Sequence, residues 1–460
     1  MLERWGVLEN RFEIFLLLFI IFQPILDLLT SFCIIVLKMS ATVGIFVRLF
    51  VMLLGAAYIL IKAREKENRR YFFYLAILGV VVLAGLLNNK MIKHPILIGE
   101  EIKFIAKVMY TFIMAGCYIV AFRSLRFKVN IGDRLKNSIL YAMLIINVVM
   151  AISIVTNTDY NSYEYFKSGS RGWFFAGNEL GAILAITFPV ILLYSIEKTK
   201  QVQNIYYWIP SLLSIFSLFA VGTKVGYGAI VLSLGAALVM CFAQAFFNKK
   251  HNGNKKVLLL NGFVALAVLL GVGAYTPFSP IVKNTTVHVE LIEQQQQKQK
   301  QEKEEAKKHG EEIEEPSPEE PPKDQVGGLL FSGRELFLRM HQAYFEEAPL
   351  SQKLLGMGYG GNFKTEPKLI ERDFHDIFYD FGFIGFFIVL APFVYYGVKL
   401  LIAVFRKFYD IFTVTYALLA VSMALALGIA YTAGHVLAAP AVSIYFVVIA
   451  AYVLVSLEIE

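Results

Sequence analysis

The sequence predicts an all-α protein that crosses a membrane about twelve times and carries one large extracytoplasmic loop. Three observations predict it. Of the 460 residues, 57% are hydrophobic and only 17% are charged, whereas a water-soluble chain of ordinary composition carries roughly 25% charged residues. The apolar residues gather in runs such as Ile14–Leu37 and Val257–Tyr275, and about 20 such residues span a bilayer core as a helix. Lysine and arginine concentrate in alternate connections between the runs, the bias expected of cytoplasmic loops.

Taken in order, the expected spans are 14–37, 41–61, 71–87, 104–122, 138–156, 174–196, 205–222, 225–247, 257–275, 376–398, 411–433 and 436–457. The first run has no small-residue cleavage site and further spans follow it, so it reads as a span and not a removable signal peptide. The basic connections hold Lys62, Arg64, Lys66, Arg69 and Arg70; Arg123, Arg126, Lys128, Arg134 and Lys136; Lys198 and Lys200; Lys249, Lys250, Lys255 and Lys256; and Lys399, Arg406 and Lys407. All fall on one side. That side is expected to be the cytoplasm, with both termini inside and the protein in the cytoplasmic membrane. The net charge of +7 is then a topology signal, which implies the lipid bilayer as partner and no nucleic acid. Cys33, Cys117 and Cys241 lie in apolar runs without paired spacing, and read as core hydrophobes.

The chain thus divides into residues 1–275 with nine spans, a loop over 276–373, and residues 374–460 with three more spans. Within the loop, 290–325 is a low-complexity stretch rich in Gln, Glu and Lys, which cannot bury enough apolar surface to order itself and reads as a spacer. Order is expected again over 330–362. Ser332 and Glu335 form a capping-box pattern, an amphipathic helix over about 333–347 carries Arg334, Arg339 and His341, and Gly356-Met-Gly-Tyr-Gly-Gly361 makes a glycine-rich turn. No βαβ unit surrounds those glycines, so they are no dinucleotide fingerprint.

Ionisable residues at membrane depth or at the mouth of a bundle are candidates for function. Arg171 stands just before the sixth span, Lys224 in a short turn before the eighth, Arg334 on the loop helix, and His375 where the loop enters the tenth span. Each has a structural alternative: headgroup anchoring for Arg171 and Arg334, snorkelling for Lys224, and an interfacial packing role for His375. Asp373 and Asp376 flank His375 and are placed to orient its ring. Asp27 and Arg48, in the first two spans, read as a structural ion pair. Three cations and an imidazole on one side suit a lipid-linked pyrophosphate and a hydroxyl nucleophile. No carboxylate or histidine cluster has metal-ligand spacing, so neither metal nor cofactor is expected. Arg339 and His341 are expected to take no part.

Ser170-Arg-Gly-Trp-Phe-Phe-Ala-Gly-Asn-Glu-Leu-Gly181, Gly222-Thr-Lys-Val-Gly-Tyr-Gly-Ala229, Gly333-Arg-Glu-Leu-Phe-Leu-Arg339, Leu355-Gly-Met-Gly-Tyr-Gly360 and His375-Asp-Ile-Phe-Tyr-Asp-Phe-Gly-Phe-Ile-Gly385 occur in that order. In this the chain resembles the O-antigen ligase and Wzy-type polysaccharide polymerase superfamily over most of its length. The resemblance implies a GT-C-like, inverting, metal-independent glycosyltransferase that uses an undecaprenyl-pyrophosphate-linked glycan as donor and a glycan or lipid-linked acceptor. Working partners would be a flippase and a chain-length regulator. Carried over residue by residue, His375 is the base and Arg171 and Arg334 are phosphate clamps. Lys224 stands where the family has an arginine and Asp376 where it usually has an asparagine. A lysine keeps the charge but loses the planar fork. Two other classes remain open: a transporter or flippase, which would more often show two similar halves and charges near the midplane, and a scaffold whose acidic loop recruits partners.

Overall fold

A computed structural model describes residues 2–39, 42–163, 168–247, 255–287, 289–290 and 334–458, with side chains from residue 11 onward. Ser332, Lys249, Lys250 and residues 291–325 lie outside the described residues. All described regular structure is helical, apart from one isolated bridge between Asn161 and Ser170. The helices are α1 (Leu2–Ile35), α2 (Val43–Lys62), α3 (Arg69–Ile92), α4 (Ile98–Leu125), α5 (Ile131–Val155), α6 (Gly177–Lys198), α7 (Ile209–Val221), α8 (Lys224–Phe247), α9 (Lys255–Tyr275), α10 (Arg334–Glu347), α11 (Leu350–Leu355), α12 (Asp373–Arg406), α13 (Phe408–Ile411), α14 (Val414–Thr432) and α15 (Pro440–Glu458). Among the described residues twelve are long and apolar enough to cross a membrane: α1 to α9, α12, α14 and α15, with a 3-10 turn from Val202 leading into α7.

Helix ends depart from the expected spans where charge interrupts hydropathy. α4 starts at Ile98 and not at 104, because Glu100 and Glu101 fit its first turn, where carboxylates suit the helix dipole. α5 starts at Ile131, capped by Asn130, whose side chain accepts from the Asp133 N–H at 3.1 Å.

α6 is the axis of the bundle, with every residue from Leu180 to Leu193 buried. α5, α7, α8, α14 and α15 pack beside it and α4 packs on α15, while α3, α9 and α12 turn Ile77, Leu83, Phe263, Leu270, Phe387 and Val394 outward, as a helix facing hydrocarbon should. Interior polar groups bond across helices: Asn147 Nδ2 to Ser214 Oγ (2.9 Å), Trp208 Nε1 to Asn261 Oδ1 (3.2 Å), and Ser422 Oγ to the Ile186 carbonyl (2.5 Å). Asp27 and Arg48 form the expected pair at 2.6 Å, and Gln23 accepts from Arg48 Nε at 3.0 Å.

Alternation of the twelve helices gathers the connections after α2, α4 and α6 at one end, with the C-terminus; Arg123 pairs with Glu458 at 2.5 Å there, and Lys136 with Glu197. The opposite end holds the connections after α3, α5, α7 and α14, together with residues 334–372. A buried clamp fastens that segment down. Lys93 Nζ meets Glu101 Oε1 at 2.8 Å and the Tyr359 carbonyl at 2.7 Å, and Glu101 Oε2 accepts the Tyr359 N–H at 2.8 Å.

α12 is interrupted. Gly382 has φ 66° and ψ −174° inside it, and a Cβ there would lie 2.6 Å from the Leu354 carbonyl. The broken end leaves carbonyls without helical partners, and the glycine run supplies them: Met357 N–H to Tyr379 O (2.9 Å) and Gly358 N–H to Asp380 O (3.1 Å). His341, expected to take no part in the site, faces the interior of this segment. It is buried, its ring packs beside Tyr344 and Tyr379, and Nδ1 lies 2.8 Å from the Phe337 carbonyl. Burial pushes its pKa down to about 4.

Candidate active site

His375 lies in the first turn of α12, and the two neighbouring carboxylates build the ground it stands on. Asp376 reaches back to the N–H groups of Ile370 (2.8 Å) and Arg372 (3.0 Å), which cap the helix start. Asp373 accepts from the N–H groups of His435 (3.1 Å), Val436 (2.8 Å) and Leu437 (2.7 Å), in the connection between α14 and α15. Both carboxylates are therefore engaged with backbone, and neither orients the His375 ring as the sequence suggested. Among the described residues, the enclosed Nδ1 of His375 has no hydrogen-bond partner. Its ring lies 5.9 Å from that of Tyr431, whose carbonyl accepts from Arg372 Nε at 2.9 Å.

Asp373 thereby brings a second imidazole to the site. His435 adopts a left-handed φ of 62°, which is uncommon for a side chain of this kind. Its Nε2 lies 3.9 Å from Glu371 Oε2, and Arg334 Nη2 reaches the same oxygen at 3.2 Å. Burial holds the His435 ring below the ordinary histidine value. Glu371 opposes this, and Arg334 and Lys107 reinforce it. Lys107, on α4, also acts electrostatically on Glu179 at the start of α6.

Arg171 and Lys224 belong to a second knot at the same end. Ser170 N–H donates to Ala220 O at 2.7 Å; Asn284 accepts from Ser168 N–H (2.7 Å) and donates to Gly222 O (3.0 Å). Arg171 donates to the Phe175 carbonyl, and its guanidinium lies 5.9 Å from the Tyr160 ring. Lys224 is the first residue of α8, just past Gly222, which has φ 74°. The structure thus groups Arg334 with the surroundings of His375, and Arg171 with Lys224. Lys107 acts electrostatically on both His435 and Glu179.

The profile of the O-antigen ligase like membrane protein family matches residues 9–460, essentially the whole chain. The chain belongs to this family. Membership makes it a multi-pass membrane protein of a glycan-ligating or glycan-polymerising class. A search of curated proteins gives no match. Sequence reasoning did not single out His435, Glu371, Lys107 or Glu179, which stand at this end of the bundle. The only trace of His435 was a lone Gly434-His435 pair in a connection assigned to the same side as the large loop. Among the described residues, no three of His, Cys, Asp or Glu group as a metal site requires.

Proposed function

We propose that the protein is an inverting, metal-independent glycosyltransferase of the O-antigen polymerase or ligase type. It acts on undecaprenyl-pyrophosphate-linked glycan at the outer face of the cytoplasmic membrane. The observation that carries the reading is the enclosed Nδ1 of His375, without a hydrogen-bond partner among the described residues, at the same end as Arg334, Lys107 and Arg171. His375 removes the proton of an acceptor hydroxyl as its oxygen attacks the anomeric carbon. The carbon–oxygen bond to the pyrophosphate breaks, and undecaprenyl pyrophosphate leaves with the electron pair. Attack opposite the leaving group inverts the anomeric centre. Cations placed beforehand in a partly dehydrated mouth stabilise the charge that grows on the pyrophosphate. Arg334 Nη2 is held by Glu371 Oε2 at 3.2 Å, and a guanidinium carries a planar fork of donors suited to phosphate.

The test is conversion of lipid-linked oligosaccharide by purified protein. His375→Ala should lower turnover by about 10²–10⁴-fold with donor binding retained. Arg334→Ala should weaken donor binding and rate together, and Arg334→Lys should restore only part of either. Lys364→Ala, at an exposed position, is the control. Wild-type turnover in His375→Ala, with loss of turnover in His435→Ala, would move the base to the other imidazole and overturn the assignment.

A further inference from the structure

At the end of the bundle opposite His375, two cavities of different character meet at Arg70. One is a polar cleft of about 590 Å³ between the α2–α3 connection and the end of α4. In it Lys62, Lys66, Arg70, Arg123 and Arg126 face Glu65, Glu67 and Glu458. The other is an apolar groove of about 230 Å³ on the lateral wall between α3, α4 and α12, lined among others by Tyr71, Tyr74, Phe112, Gly116, Ala391 and Tyr396.

The charges in the cleft are only partly matched. Glu458 holds Arg123 through Nε (2.8 Å) and Nη2 (2.5 Å) and lies 4.0 Å from Arg70. Lys62 meets Glu65 at 3.2 Å. Lys66 and Arg126 have no carboxylate partner among the described residues, and the Arg126 guanidinium rests over the Phe127 ring at 4.6 Å. Where cleft becomes groove, Arg70 donates to the hydroxyls of Tyr71 (3.1 Å) and Tyr395 (3.3 Å), and Tyr396 donates to Tyr71 (3.0 Å). A band of tyrosines at the foot of spanning helices marks the level of lipid headgroups.

We propose that cleft and groove together bind an anionic phospholipid from the leaflet at that end. An acyl chain lies along Tyr74, Phe112 and Ala391, and the phosphate faces Arg70, Lys66 and Arg126. An apolar trough headed by unmatched cations is complementary to this amphiphile. A zwitterionic lipid offers the same chain, but its ammonium gains nothing beside Lys66 and Arg126. Basic pockets between spanning helices hold anionic headgroups in this manner. The site is separate from the proposed transfer chemistry and stands whether or not His375 is the base.

The experiment is native mass spectrometry of the full chain after incubation with equal amounts of phosphatidylglycerol and phosphatidylcholine. Wild type should retain the anionic lipid at least about fivefold over the zwitterionic one, the contribution of a single basic residue at a lipid surface. Lys66→Glu with Arg126→Glu should abolish that preference, and Lys66→Gln with Arg126→Gln should reduce it. Ala391→Trp, at an exposed position in the groove, should lower retention of both lipids. The same charge change at the other end, Lys364→Glu with Lys368→Glu, should leave the preference intact. Equal retention of the two lipids by wild type would overturn the proposal, as would a preference that survives the charge reversal. Release of the bound lipid by millimolar inorganic phosphate would show a plain anion site and overturn it too.

Discussion

Asp373→Asn tests how the second imidazole is held. The carboxylate serves three donors: Oδ1 takes the His435 N–H at 3.1 Å, and Oδ2 takes Val436 at 2.8 Å and Leu437 at 2.7 Å. An amide has one acceptor oxygen. Its better orientation keeps that oxygen on Val436 and Leu437, and turns its NH₂ towards the His435 N–H, donor against donor. One bond to a charged group is lost, at about 1.5–3 kcal/mol. That corresponds to about 10–150-fold more frequent opening of the 433–439 connection. Hydrogen exchange on a peptide covering that connection should therefore accelerate by this factor, while exchange in α6 stays at its wild-type rate. Turnover of lipid-linked donor should fall in parallel. Wild-type exchange at His435, Val436 and Leu437 with full turnover would refute the claim that Asp373 sets the position of His435.

Two further outcomes follow from buried groups. His341 has a folded pKa of about 4 against 6.5 for an exposed imidazole, so the unfolded chain binds more protons between these values. The docking it supports is complete above about pH 6.5 and is lost progressively as pH falls towards 4, by about 3 kcal/mol in all. Limited proteolysis of the 334–371 segment should accelerate over this window, and His341→Gln should flatten the profile; an unchanged profile would show that His341 does not titrate there. Orientation is read with single cysteines, because Cys33, Cys117 and Cys241 are all buried. An impermeant thiol reagent on intact cells should label Lys364→Cys and spare Lys66→Cys, and the reverse pattern would invert the topology.

The membrane fold was legible because hydrophobic length and basic connections are local properties of the chain. Helix starts at Ile98 and Ile131 were not, since Glu100, Glu101 and Asp133 lower hydropathy while suiting a first helical turn. His375 could be singled out from its motif as a candidate. The role of Asp373 was not legible, because its partners lie 62 to 64 residues further on and no spacing rule connects them. The burial of His341 was not legible either, for a related reason. Beside Tyr344 on its own helix, the ring meets Tyr379 and the backbone at Gly361, and Gly361 belongs to a stretch that reads as turn. His341→Ala is accordingly a packing variant and no neutral control.

The break at Gly382 bears on how the protein answers to the thickness of its bilayer. An unbroken helix of 34 residues would be about 51 Å long, well beyond a hydrocarbon core of about 30 Å. Any tilt taken up to hide the excess would then carry His375 with it. Ending the outer piece at Gly382 uncouples the two. Residues 373–381 are registered to the α14–α15 connection through Asp373 and to the glycine run through the carbonyls of Tyr379 and Asp380. The length beyond Gly382 is tied instead to α3, through Arg70 to Tyr395 and Tyr396 to Tyr71, so a tilt taken up there with α3 is not handed directly to His375.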